Sequence, residues 1–202
     1  MTNAAGAPFI ERLIREGARR LSMSASPMLD ARLIVGRVLG LDAAELILRG
    51  RETPSADSVA AIGALIERRA TGEPIAYLFG EKEFYGRVFN LAPGVLVPRP
   101  ETEHLIEAVR AARDAAASLR ILELGVGSGC VLTSLLLHYE NAVGVGVDIS
   151  YKAAMLTQRN LSIAGVGDRA RVFVGDWADA LDHDFDIVVS NPPYIEAKDM
   201  AT

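Results

Sequence analysis

Three short stretches carry residues whose types and spacing suit a bound ligand. In ELGVGSGC, residues 123–130, Gly125, Gly127 and Gly129 alternate with Val126 and Ser128 between an apolar run and a helical pattern. Glycines there allow a tight turn and bring a ligand close to the backbone of all five residues. The dinucleotide fingerprint G-x-G-x-x-G would need glycine at 130, where the chain has Cys130, so a purely structural turn stays open. Asp148 ends the next strand pattern, 23 residues after Gly125. Its carboxylate there can accept two hydroxyls of a ribose, or can cap the helix starting near Ser150. Asp176 and Trp177 follow a third strand pattern. An adenine can lie against that indole, although a lone tryptophan also serves as core. In this order the three features point to an adenosyl ligand. No phosphate-loop lysine follows the glycines, which argues against ATP hydrolysis.

The fourth stretch is DIVVSNPPYIE, residues 186–196. Prolines remove backbone donors and so belong after a strand rather than inside one. Asn191, Pro192, Pro193 and Tyr194 therefore read as a rigid polar-aromatic strand tip, or as a strand-terminating turn with an exposed ring. Arg99 and Glu101, in VPRPETE, invite either a site role or a salt-bridged start to a helix. Cys130, at a helix start, is either a thiol of lowered pKa or a small buried residue. His104, His138 and His183 share no metal-ligand spacing, and one cysteine excludes a cysteine-based metal cage, so no metal is expected.

These residues need a scaffold, and the pattern from Leu119 onward supplies one. RILELG, AVGVGVD, RVFVGD and FDIVVS read as strands, with GCVLTSLLLHY and SYKAAMLTQRNLSIAG as helices between them. Strands that are nearly continuous in apolar residues, alternating with helices, imply a parallel sheet covered on both faces. The expected fold is α/β and doubly wound, with ligands at the carboxyl ends of the strands. Ahead of it, residues 1–72 read as a helical bundle. In its second helix Leu29, Leu33, Val35 and Leu39 follow helical spacing after Pro27. Asp42 and Ser55 are expected N-caps, and Gly40 and Gly50 sit at helix ends. Residues 73–98, rich in aromatic and β-branched residues around Gly80 and Gly86, read as a hairpin linker, leaving 99–202 as the ligand-binding domain.

Composition narrows the class. Half of the 202 residues are hydrophobic, ample for a core, and the net charge is −5. Residues 1–72 hold ten arginines against eight acids, whereas residues 73–202 hold eleven basic residues against eighteen acids. That balance is the wrong sign for a face that must lie unaided on phosphates. No apolar run reaches the roughly 18 residues of a membrane span, and the N-terminus lacks the order of a secretory signal, so a cytoplasmic protein is expected.

With NPPY added, the chain resembles the class I S-adenosylmethionine-dependent methyltransferases that act on planar nitrogens. GEPIAYLFGEKEFYG, VPRPETE, ILELGVGSG and VVSNPPYI together look like the release-factor glutamine methyltransferases, the HemK/PrmC family. The resemblance covers essentially the whole chain. It implies S-adenosylmethionine as cofactor, held by residues 125–129, Asp148, Asp176, Trp177 and Asn191. It also implies peptide chain release factors as protein partners, with methylation of the glutamine of their GGQ motif. Asn191 and Pro192 would accept hydrogen bonds from the substrate amide, Pro193 would stiffen that carbonyl's direction, and Tyr194 would stack on the amide plane. NPPY alone fits adenine-N6 methyltransferases equally; VPRPETE is the narrower marker. Val126 stands where the family often has threonine, and Glu123 where it often has aspartate. The resemblance further implies a seven-stranded sheet, of which this chain supplies four strands. A C-terminally truncated chain, poorly soluble or inactive by itself, is therefore expected, as is the rival of a catalytically silent cofactor-binding fragment.

Overall fold

The computed structural model describes residues 9–177 and 184–192. They divide into two compact units, one running to Phe79 and the other starting at Gly80.

The first unit is helical: α1 (Ile10–Arg20), α2 (Pro27–Leu39), α3 (Ala43–Leu48), α4 (Ala56–Ala70) and α5 (Ile75–Phe79). Helix α1 buries Ile10, Leu13, Ile14 and Ala18 on one stripe. Gly40 ends α2 in the left-handed conformation, with φ of 65°. Asp42 and Glu45 form a reciprocal capping box at α3, and the Ser55 hydroxyl accepts from the Ser58 N–H at α4. Two expectations change. Leu29 and Leu33 of α2 are 55% and 42% exposed, while Ala31, Ile34 and Val35 form the buried face with Asp30. This helix is apolar on two sides, so packing rather than periodicity chooses the face. Asp30 can turn inward because Arg69 Nε and Ser24 Oγ both donate to it, at 2.7 and 2.6 Å. Ile75–Phe79, inside the segment expected to be a hairpin linker, forms a helical turn started by the Pro74 carbonyl. Ile75, Leu78 and Phe79 pack on the helical core, and Arg37 lies over the Phe79 ring at 5.4 Å, contacts that outweigh β propensity.

The second unit opens with the antiparallel hairpin β1 (Glu81–Phe84) and β2 (Arg87–Asn90). Tyr85 and Gly86 join the strands, both at positive φ (50° and 72°), as a two-residue hairpin requires. A 3-10 turn, Pro100–Thr102, leads into α6 (Glu103–Ala112). There follow β3 (Arg120–Leu124), α7 (Cys130–His138), β4 (Val143–Asp148), α8 (Tyr151–Ile163), β5 (Ala170–Val174) and β6 (Ile187–Ser190). The sheet is parallel throughout, in the order β5-β4-β3-β6, with Leu122 paired to both Val145 and Val188. This is the expected α/β architecture. The chain winds from β3 outward through β4 and β5, then returns to the other side of β3. That reversal leaves a crevice at the carboxyl ends of the strands. The core centres on α7, whose Leu132, Leu135 and Leu136 are fully buried, each stabilising the fold by about 2 kcal/mol. Tyr139 joins them, its hydroxyl donating to the Val109 carbonyl at 3.2 Å.

Candidate active site

A cleft of about 360 Å³ opens at the carboxyl ends of β3, β4, β5 and β6. Gly125 and Gly127 line it after β3, Asp148 after β4, Asp176 and Trp177 after β5, and Asn191 and Pro192 after β6. Gly94, which with Pro93 reads as a turn in the sequence, forms a further wall with Val95 and Leu96.

The glycine turn is built by cross-strand hydrogen bonds. Gly125 and Val126 both donate their N–H to the Val147 carbonyl, at 2.9 and 3.0 Å, tying the turn to the end of β4. Gly125, Gly127 and Gly129 have φ of 71°, 56° and 75°, values that side chains with a Cβ rarely adopt. The positions then differ. A Cβ on Gly125 would meet no protein atom within 4 Å, whereas one on Gly129 would lie 2.6 Å from Thr157 Cγ2. Gly125 therefore leaves room beside the cleft, while Gly129 lets α8 pack against the turn. Val126 and Ser128, expected to share in binding, are 2% and 3% exposed and do not line the cleft, nor does Gly129. Alternate residues of the turn face the core, and Val126 belongs to the buried cluster.

Asp148 holds the turn directly. Its Oδ2 accepts from the Gly127 N–H at 2.8 Å and its Oδ1 from the Ser150 N–H at 2.9 Å. The helix cap proper is Ser150, whose hydroxyl accepts from the Ala153 N–H. Each carboxylate oxygen keeps acceptor capacity beyond one hydrogen bond, so Asp148 remains able to receive hydroxyls. Trp177 is 58% exposed and therefore not core, and it is held at φ of 47°. Such a backbone at a cleft wall marks a residue positioned by its surroundings.

Sequence reasoning missed the supports behind the turn. Thr157 Oγ1 donates to the Gly127 carbonyl at 3.0 Å, and Asn160 Nδ2 donates to the Ser128 carbonyl at 2.8 Å. Asn160 is 3% exposed and also binds Asn90 at the end of β2, receiving its N–H at 3.1 Å. One buried amide thus pins hairpin and glycine turn together. Polar residues at helical spacing look like a solvated face, so only the fold exposes this role.

Glu123, 4% exposed, lies beneath the turn and accepts from the Leu132 N–H at 2.9 Å. It serves as the cap that glycine at 129 cannot supply for α7. Burial pushes its carboxyl up to about 8, against the Leu132 hydrogen bond and with help from the Asp148 charge. Cys130 is buried as well, and burial, with the neighbouring Glu123, pushes its thiol up to about 12, so the lowered pKa considered at a helix start does not arise.

At the far wall Ser190 Oγ donates to the Leu124 carbonyl at 2.9 Å, and Asn191 Nδ2 donates to Thr102 Oγ1 at 3.0 Å. The contact joins VPRPETE to the strand tip across 89 residues of sequence. Arg99 and Glu101 are both exposed and do not line the cleft; Thr102, of the same segment, is buried and meets Asn191 without lining the cleft itself. Pro193, Tyr194 and His183 lie outside the described residues. Among the described residues no group of three or more His, Cys, Asp or Glu could hold a metal ion, and no helix is long and apolar enough to cross a membrane.

Residues 12–80 match the PrmC N-terminal domain family, and residues 100–202 the methyltransferase small domain family. Curated relatives that carry the name release factor glutamine methyltransferase match most of this chain. That of Rhodospirillum rubrum is 41% identical, covering 94% of this chain and 59% of the relative. That of Agrobacterium fabrum is 37% identical, covering 88% and 63%. For Bradyrhizobium diazoefficiens the identity is 35%, with 99% of this chain and 70% of the relative covered. The chain belongs to the release factor glutamine methyltransferase family. It spans about three fifths of the length of the first two of these relatives.

Three features of this family member's cleft fit S-adenosylmethionine. The open space beside Gly125 admits a ligand against the backbone. Acceptor capacity on Asp148 and an exposed indole at Trp177 match the ribose and adenine of an adenosyl group.

Proposed function

We propose that the protein binds S-adenosylmethionine in this cleft and methylates the side-chain amide nitrogen of the glutamine in the GGQ motif of peptide chain release factors, in the cytoplasm. The observation that carries the reading is the convergence of Gly125, Asp148 and Trp177 with Asn191 and Pro192 on one cleft. Family membership supports the choice of substrate. When bound, the cofactor supplies a sulfonium methyl; its transfer to nitrogen leaves a neutral thioether and releases one amide proton to water.

The chain's own residues have a positioning task. An amide nitrogen is a poor nucleophile, because its lone pair is delocalised into the carbonyl. In this reading Asn191 Oδ1 and the Pro192 carbonyl accept from the two substrate N–H groups, which raises the electron density on nitrogen and sets its direction. Pro192 and Pro193, with φ held near roughly −65°, keep that carbonyl aimed, and Tyr194 stacks on the amide plane. Asp148 receives ribose hydroxyls, and Gly125 and Gly127 bring the backbone against the ligand. The acceleration then comes mainly from orientation at a near-attack distance.

The decisive experiment incubates the protein with methyl-labelled cofactor and, in separate reactions, an intact release factor and adenine-containing DNA. Label entering the release factor at glutamine, and a fall on the order of 10²-fold with Asn191→Ala, is the expected result. Label in DNA alone would establish an adenine-N6 methyltransferase instead. Cofactor binding by calorimetry without transfer to either would identify a silent binding fragment.

A further inference from the structure

We propose that Thr102 is a positioning residue that holds the Asn191 amide with its acceptor end toward the substrate, an inference that rests on the methyl-transfer reading above. Asn191 carries a donor end and an acceptor end of nearly the same shape. Only the acceptor end can receive a substrate N–H; turned around, the amide would set a donor against a donor. Thr102 Oγ1 takes a hydrogen bond from Asn191 Nδ2 at 3.0 Å. Among the described residues no donor meets Asn191 Oδ1, which sits on a residue lining the cleft.

Thr102 is itself firmly placed. It is 8% exposed, and its N–H donates to the Arg99 carbonyl at 3.0 Å, closing the 3-10 turn ahead of α6. It does not line the cleft, so it acts through Asn191. On the other side, Ser190 Oγ on the Leu124 carbonyl holds the end of β6 against β3. The strand end is thus fixed through β3 and the amide plane through Thr102. Valine at 102 keeps the shape of threonine and removes only the hydroxyl.

The test compares Thr102→Val and Thr102→Ser with the wild type by two readouts. In the ¹H–¹⁵N spectrum the Asn191 side-chain pair, assigned by its loss in Asn191→Asp, should shift in Thr102→Val, with solvent exchange about tenfold faster, and return in Thr102→Ser. The remaining resonances report the fold. With release factor as substrate, Thr102→Val should lower kcat about tenfold, leaving KM and the cofactor Kd within about twofold, and serine should restore the rate. An Asn191 pair unchanged in Thr102→Val overturns the proposal. So does an altered pair with kcat intact, or a cofactor affinity that falls in parallel with kcat. Should the wild type methylate no release factor, the functional reading fails, while the amide resonance still decides whether Thr102 holds Asn191.

Discussion

Asp148 joins two features that sequence reasoning held to be compatible, a structural contact at a helix start and a place at the ligand edge of the sheet. It organises backbone at the turn and at α8, and it faces the cleft. Removing it should therefore weaken binding through direct contact and through loss of the Gly127 anchor. Asp148→Ala is expected to raise the Kd for S-adenosylmethionine by roughly 10–100-fold, as for hydrogen bonds to a charged group, by calorimetry. An affinity within twofold of wild type would show that neither task matters to the cofactor. Much of this residue-level site was legible beforehand, since Gly125, Gly127, Asp148, Asp176, Trp177, Asn191 and Pro192 all line one cleft. Thr102, Thr157 and Asn160 were not, because their partners lie between 30 and 89 residues away. Nothing local distinguishes a buried hydroxyl or amide from a solvated one.

Elements explain why similar glycines should respond differently. Gly125 and Gly129 have nearly the same φ, so alanine at either costs about 1–2 kcal/mol of backbone strain. At 129 the new methyl also runs into Thr157 on α8. Gly129→Ala should accordingly lose about 2 kcal/mol more stability than Gly125→Ala in urea unfolding, and Thr157→Ala should recover part of that excess. Equal losses at both positions would remove the packing role. In the helical unit, Asp30→Ala leaves Arg69 with a side chain only 18% exposed and its carboxylate partner gone. The expected cost is about 3 kcal/mol, against little change for the exposed Arg12–Glu16 pair. Hairpin, helix and strand types followed from local pattern, but the buried face of α2 and the helical turn at Ile75–Phe79 did not. Both depend on which neighbour each segment packs against.

At the scale of the whole molecule, Glu123 couples stability to pH. Its folded carboxyl titrates near about 8, against 4.5 for the ordinary group. Unfolding thus releases a proton between those values, so the group's contribution is complete below pH 4.5 and is lost as pH rises toward 8. Glu123→Gln keeps an oxygen for the Leu132 N–H without the ionisation. Its Tm should hold between pH 5 and pH 8 relative to a falling wild type, and parallel Tm curves would count against a buried ionisation. The acidic balance of residues 73–202 has the wrong sign for a face that must lie unaided on phosphates. Periodicity, turn glycines and strand-end polar residues by themselves determined an α/β sheet with a ligand cleft at its carboxyl edge, because each depends on neighbours within a few residues. The tertiary structure alone decided which turn residues face the cleft, that α7 is capped from below by a buried acid, and that Thr102 meets Asn191. Those outcomes rest on contacts between elements, from neighbouring β3 and α7 to Thr102 and Asn191 at 89 residues apart, and only the packed fold brings their atoms within hydrogen-bonding distance.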